Sequence, residues 1–308
     1  MAKANNFTNW PELYQRLNLQ PNKHVLFVLD YNDLDYDIIQ NSQQAFLISG
    51  EGNTNKFQHL SRSGVWFFDS TVSDQYPDTK PWMFHFDKTV FVNNELNFLE
   101  QLTTSPTLAF DALLGLKRPH RDCAYNFIMN DVELKQRTFL TYYGIGHKFV
   151  PGYFDIKSLS IGWSSENITV NNTVTGRSQI LPVDIYNQTA YTLVCETEAD
   201  ASTHSFFTEK IAKPMLAGRP FVVLANQHYL KRLKQLGFQT FESVIDESYD
   251  NIEDHSTRWH QALIQMRWLA GQDPTEIYAQ SADTLQHNQQ LMQVNWQQKL
   301  ADQISQLI

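Results

Sequence analysis

Short apolar runs alternating with helix-like stretches are the feature that most limits how this chain can fold. Val25-Leu26-Phe27-Val28-Leu29 ends at acidic Asp30, Ala45-Phe46-Leu47-Ile48 follows, and Val65-Trp66-Phe67-Phe68 ends at Asp69. Unbroken runs of this length suit strands buried on both faces, as in a parallel sheet. Residues 93–103 read as a helix through Leu96, Phe98, Leu99 and Leu102. The second half repeats the alternation, with strands expected over 107–116, 138–143, 193–195 and 221–224. Helices are expected over 121–136, 207–216 and 228–236, the last stopped by Gly237 because glycine enters the left-handed region without strain. Strands separated by helices of this size require right-handed crossovers, so the expected class is α/β with parallel sheets.

At 308 residues the chain accommodates two compact domains of roughly 150 residues. Ser105-Pro106 is the natural linker, since the residue before proline is pushed out of helical geometry. The expected division is an N-terminal α/β domain over 1–106, a second α/β domain over 107–265 and a helical C-terminal tail over 266–308. Residues 145–180, rich in Gly, Ser, Asn and Thr, read as loops or a small β excursion. In the tail, Met292, Trp296, Leu300, Ile304 and Leu307 form one apolar stripe at helical spacing. Such a stripe packs back on its own protein or, alternatively, forms a coiled coil with a partner, including a homodimer through this helix.

Composition narrows the function classes. A hydrophobic share of 42% with 19% charged residues excludes a disordered chain. The net charge of −9 disfavours a dedicated nucleic-acid binder, whose affinity rests on clustered Lys and Arg. No stretch reaches the length of a membrane span, and the N-terminus lacks the apolar core of a signal peptide, so a soluble, cytoplasmic protein is expected. Cys123 and Cys195 are the only cysteines, too few for a disulfide framework or a thiolate zinc cluster, and both read as buried reduced thiols. With 12 glycines in the chain, a glycine-rich phosphate cradle is not expected. No H-E-x-x-H, G-x-x-x-x-G-K-[ST], G-x-S-x-G or C-x-x-C motif is present, which removes the main support for metalloprotease, P-loop and α/β-hydrolase readings.

The densest cluster of candidate site residues lies between Val194 and Leu224. A buried strand runs into Glu196-Thr197-Glu198, and Thr208-Glu209-Lys210 opens a helix. Open parallel sheets bind ligands outside the carboxyl ends of their strands, where helix N-termini offer free N–H groups to phosphate. Lys210 adds a formal charge there, and Glu209 can accept sugar hydroxyls. The same residues also fit a purely structural role: Thr208 as N-cap, Glu209 complementing the helix dipole, Lys210 solvated.

The string from Glu196 through Phe206-Phe207-Thr208-Glu209-Lys210-Ile211 to Ala217-Gly218-Arg219-Pro220-Phe221-Val222-Val223 resembles the donor-binding region of fucosyltransferase-like glycosyltransferases of the GT-B type. Upstream, Lys117-Arg118-Pro119-His120-Arg121 is similar to the turn in which that family carries an arginine facing the diphosphate. A guanidinium suits that task because it grips two phosphate oxygens at once. The resemblance spans roughly residues 108–260; Pro214 within the helix departs from it, and residues 1–106 carry no match.

The resemblance implies two Rossmann-like α/β/α domains facing a cleft. It also implies transfer of a sugar from a nucleotide-diphosphate donor to an acceptor hydroxyl on a glycan, lipid or protein, with inversion and without a metal or other cofactor. Arg121 (or Arg118), Glu196, Thr208, Glu209 and Lys210 would hold the donor. His120 either stabilises the departing diphosphate or is an ordinary turn histidine. The base would be a carboxylate of the first domain, and Asp30 and Asp69, both at strand ends, are the candidates. Two alternatives stay open. One is a non-catalytic nucleotide-sugar or protein-binding protein on the same fold. The other is a metal-dependent GT-A enzyme whose Asp33-Leu34-Asp35 holds Mg²⁺ or Mn²⁺, although an acidic loop of this kind equally suits solvent.

Overall fold

A computed structural model describes residues 17, 24–28, 41–49, 63–73, 79–103, 106–142, 167–171, 173–200 and 203–308. Asp30, Asp33 and Asp35 lie outside the described residues.

The first half contributes β1 (His24–Val28), β2 (Gln44–Ser49), β3 (Val65–Asp69), a short β4 (Thr71–Ser73) and β5 (Lys80–Pro81). Strands β1, β2, β3 and β5 form a parallel sheet in that order. Ala45, Phe46, Leu47 and Ile48 have no exposed surface, as strands covered on both faces require. Helix α1 (Phe84–Glu95) follows.

The second half runs β6 (Leu108–Leu113), α2 (Pro119–Asn130), α3 (Val132–Gln136) and β7 (Thr138–Thr141), then an antiparallel hairpin of β8 (Asn167–Val170) and β9 (Thr173–Gly176). Next come α4 (Val183–Tyr186), β10 (Thr189–Cys195), β11 (His204–Phe206), α5 (Glu209–Leu216), β12 (Phe221–Leu224) and α6 (Tyr229–Gln235). Helices α7 (His255–Ala270), α8 (Pro274–Gln280), α9 (Ala282–Met292) and α10 (Trp296–Ser305) complete the chain. The second sheet is also fully parallel, in the order β12-β10-β6-β7. The class is therefore mixed α/β with parallel sheets. Gly237 ends the turn after α6 at φ 95°, as its position after the apolar run anticipates.

Two expected helices are each broken once. The stretch expected as one helix over 121–136 begins earlier, at Pro119, because Arg118 is extended (φ −152°, ψ 154°) and proline needs no N–H in the first turn. It then breaks at Asp131, whose carboxylate accepts from the Leu134 N–H at 3.0 Å and caps α3. The tail is split in the same way, with the Asn295 side chain accepting from the Gln298 N–H at 2.8 Å to start α10.

The apolar stripe of the tail is covered by its own chain: Met292, Trp296, Leu300 and Ile304 are buried and Leu307 packs on the core. The Trp296 ring meets the edge of Phe86 on α1 at 5.8 Å and stacks on Phe238 at 6.3 Å. The last helix thus reaches back to the first half.

The two halves are also joined by main chain. Strands β4 and β11 pair antiparallel, Thr71 with Phe206 and Ser73 with His204, and the Phe207 N–H donates to the Ser70 carbonyl at 3.1 Å. Since β4 follows the carboxyl end of β3 and β11 follows that of β10, this ladder ties the carboxyl edges of the two sheets together. Inside β6, Asp111 is buried; burial pushes its carboxyl up while Arg219 opposes the rise from 3.1 Å. Arg219 stacks on the Tyr186 ring at 4.1 Å and donates to the carbonyls of Tyr186 and Thr189. Both cysteines are free; Cys195 is buried, which pushes its thiol up to about 12, whereas Cys123 is half-buried.

Replacing Trp296 with alanine removes the ring that α10 packs against both Phe86 and Phe238. The expected cost is about 3–5 kcal/mol of unfolding free energy, read by urea denaturation of the full chain. A loss below about 1 kcal/mol would mean that this packing does not anchor the tail.

Candidate functional site

The residues singled out between Val194 and Leu224 converge on Glu196, the first residue past β10, which has no exposed surface. Its Oε1 accepts from the Tyr229 hydroxyl at 2.7 Å and the Thr208 N–H at 3.3 Å. Its Oε2 accepts from the Thr208 hydroxyl at 2.6 Å and the Thr197 N–H at 3.2 Å. Burial and the adjacent Glu196 charge push the Tyr229 phenol well above its usual value, so that hydroxyl remains a donor. The Glu196 backbone carbonyl accepts from His120 Nε2 at 2.9 Å and Arg121 Nη2 at 3.2 Å. One residue thereby fastens α2, α5 and α6 to the end of β10.

Thr208 is the N-cap of α5, extended at φ −115° and ψ −177°, and its Oγ1 accepts from the Lys210 N–H at 3.3 Å while donating to Glu196. Glu209 is buried, which alone would raise its carboxyl. Lys210, His85 and Lys213 outweigh that penalty and hold it down to about 2. Lys210 Nζ, on a side chain 26% exposed, donates to Glu209 Oε1 at 2.8 Å, Thr197 Oγ1 at 3.1 Å and Thr208 Oγ1 at 3.4 Å.

The basic turn behaves differently from the expectation. Gly115 turns at φ 60°, and a Cβ there would lie 3.3 Å from Arg121 Nη1, so the guanidinium sits directly against the turn. Arg121 Nη1 donates to the Leu116 carbonyl at 2.9 Å, and Nη2 to the carbonyls of Cys195 and Glu196 at 3.3 and 3.2 Å. Its Nε has no partner among the described residues. Arg121 is buried and clamps main chain rather than facing outward to a diphosphate, whereas Arg118, at the N-cap of α2, is exposed. His120 packs against Trp259 with ring centroids 5.6 Å apart. Burial and the neighbouring Arg121 push its pKa down to about 3. A ring that stays neutral and donates to a main-chain carbonyl is a structural histidine, not a cation for a leaving diphosphate.

Of the base candidates, Asp69 is described: it closes β3 in register with Ser49 and Pro81, and it is fully buried. The first-half residue that does reach the Thr208-Glu209-Lys210 turn is His85 of α1, with Nδ1 3.7 Å from Glu209 Oε2 and 3.0 Å from Gln179 Nε2. No spacing or motif marks His85 in the sequence, because its relation to Glu209 exists only once α1 packs on α5. At the solvent side, Glu198 pairs with His204 at 2.8 Å, and that bond lowers the Glu198 carboxyl. Among the described residues no group of three or more His, Cys, Asp or Glu is arranged to hold a metal ion.

A cavity of about 580 Å³ opens beside the other end of β10, lined among others by Tyr186, Thr189, Arg219 and Tyr278. The Arg219 donors there are occupied by Asp111, Thr192 and main-chain carbonyls. No family model matches this chain, and neither a curated protein nor a solved structure shows significant similarity to it.

The His120 environment predicts a pH dependence of stability. An unfolded histidine titrates near 6.5 and this one near 3, so between those values the unfolded chain binds the extra proton. Stability from this group is complete above about pH 6.5 and falls as pH drops, by about 2 kcal/mol at pH 5. Urea denaturation at about pH 7 and pH 5 should show this loss in the wild type and not in His120→Gln. Equal losses in both proteins would refute the assignment.

Proposed function

We propose that the protein is a glycosyltransferase that binds a nucleotide-diphosphate sugar at the carboxyl edge of the second sheet. The observation that carries this reading is the joining of Glu196 to the Thr208-Glu209-Lys210 turn in one hydrogen-bonded cluster. That cluster sits where a strand ends and α5 begins, the place at which open parallel sheets receive phosphates.

The N-terminal N–H groups of α5, Lys210 and the exposed Arg118 supply the positive side of the site. Lys210 would exchange its contacts with Thr197 and Thr208 for phosphate oxygens. Glu196, Arg121 and His120 act behind it, holding the strand end and the helix start in register. Two parallel sheets whose carboxyl edges are tied together by β4 and β11 support a GT-B arrangement resembling that of the fucosyltransferase-like enzymes, with the acceptor entering from the first half.

In the inverting reaction a first-half base takes the proton of the acceptor hydroxyl. The acceptor oxygen then bonds to the anomeric carbon as the bond to the diphosphate breaks, and the positive groups stabilise the departing charge. Neither a metal nor another cofactor is needed for that chemistry, and we place the reaction in the cytoplasm. The saturation of Glu196 by four protein donors favours a second reading, a non-catalytic nucleotide-sugar or protein-binding protein on the same fold.

Calorimetry against a panel of UDP- and GDP-sugars is the direct test. One donor should bind, and Lys210→Ala should weaken it by about ten- to a hundred-fold, the value of one or two charge-assisted hydrogen bonds. Unchanged affinity in that variant, or no binding of any donor, defeats the site assignment. Slow donor hydrolysis without acceptor separates the transferase from the binder, and loss of turnover in EDTA would favour the metal-dependent alternative built on Asp33 and Asp35.

A further inference from the structure

Strand β11 belongs to the second half but lies on the seam with the first, with His204 opposite Ser73 of β4. Its backbone is held from both sides. Ser73 Oγ donates to the Thr203 carbonyl at 3.2 Å. From the other side the Asn226 amide donates to the His204 carbonyl and, at 3.0 Å, to Ser205 Oγ. The same Ser205 hydroxyl accepts from Arg232 Nη1 at 3.1 Å. The His204 ring is thus carried on a fixed strand where the carboxyl edges of the two sheets meet.

The ring is also oriented. Its Nε2 lies 2.8 Å from Glu198 Oε2, and that bond, with a smaller contribution from Arg118, holds the Glu198 carboxyl below its ordinary value. An ionised carboxylate only accepts, so the proton of the neutral ring sits on Nε2 and the Nδ1 lone pair is left for a hydroxyl. Nδ1 is 3.4 Å from the exposed Thr203 hydroxyl, a long contact that leaves room for another O–H. With side chains 23% and 43% exposed, His204 and Glu198 reach solvent, whereas Asp69 is fully buried. Glu198 is also next to the proposed phosphate group: Thr197 Oγ1 accepts from Lys210 Nζ at 3.1 Å. Neighbouring Cα atoms are about 3.8 Å apart, so the loop after β10 holds the Lys210 ammonium and the His204 imidazole side by side.

We propose that His204, oriented by Glu198, is the general base that takes the proton from the acceptor hydroxyl. The inference rests on the donor-binding reading above, and it moves the base from the first half to the strand that pairs with it. Nδ1 accepts the hydroxyl proton as the acceptor oxygen bonds to the anomeric carbon. The bond from that carbon to the diphosphate oxygen breaks, and its electron pair leaves with the diphosphate beside Lys210. Glu198 balances the imidazolium until its proton passes to solvent. An imidazole held by a carboxylate on one nitrogen is suited to draw a proton from a hydroxyl with the other.

The test uses the full chain, the UDP- or GDP-sugar that calorimetry finds to bind, and water as the acceptor. The readout is release of nucleoside diphosphate. His204→Ala should slow it by about a hundredfold or more, with donor affinity within about twofold of wild type and a melting curve close to wild type. Added imidazole should restore part of the lost rate in that variant. Glu198→Gln should also be slow while keeping its donor affinity. A wild-type rate in His204→Ala, or a loss that imidazole does not restore, overturns the role of His204 while leaving donor binding intact. Donor binding by the wild type without any release of diphosphate overturns it too, and favours the non-catalytic reading. If no donor binds the wild type, this inference and the proposed function fall together.

Discussion

A carboxylate with no exposed surface governs the second half of this protein. Glu196 is removed from water, a placement that costs several kcal/mol unless every lone pair is matched, and here hydrogen bonds from Tyr229, Thr208 and Thr197 do the matching. The requirement runs outward from there. Thr208 must be extended to present both its N–H and its hydroxyl, which fixes where α5 can begin. Tyr229 must stand on the first turn of α6, which fixes the path after β12. The peptide carbonyl of Glu196 then orients His120 and Arg121, so the turn between β6 and α2 is set by the strand beside it. A single buried charge thus converts three strand–helix connections into one register.

The other edge of the sheet uses the same device with a different partner. Asp111 is buried inside β6, and Arg219 meets it from the segment between α5 and β12. Helix α5 is therefore held at its start by Glu196 and just past its end by Arg219, which suits a short helix that contains Pro214 and must do without one of its own hydrogen bonds. Rigid support at both ends keeps the N–H groups of its first turn aimed in one direction.

Much of this architecture was legible in the chain. Apolar runs without alternation, such as Ala45-Phe46-Leu47-Ile48 and Phe221-Val222-Val223-Leu224, announce strands covered on both faces, and Gly237 announces a helix stop; each follows from local sterics and burial. The Glu196 and Thr208-Glu209-Lys210 cluster could be located as well, because strand ends and helix starts are visible as changes of pattern. What could not be read was the direction in which a side chain points. Arg121 and Arg118 are equivalent in a string of letters, yet the turn at Gly115 folds one inward onto carbonyls and leaves the other in solvent. The pairing of Thr71–Ser73 with His204–Phe206 is too short to carry a period. The contact of His85 with Glu209 depends on helix packing between distant segments. The tail divides at Asn295 because an amide cap there competes with continuing the helix, a contest that apolar spacing alone does not register.

The long reach of α10 has a consequence for how the protein is made. Synthesis proceeds from the N-terminus, and many domains fold as soon as they leave the ribosome. Here the first sheet is complete early, but Phe86 on α1 has no Trp296 to cover it and β4 has no β11 beside it until most of the polypeptide has been translated. Until those segments emerge, the first half lacks the strand that pairs with β4 and the ring that packs on Phe86.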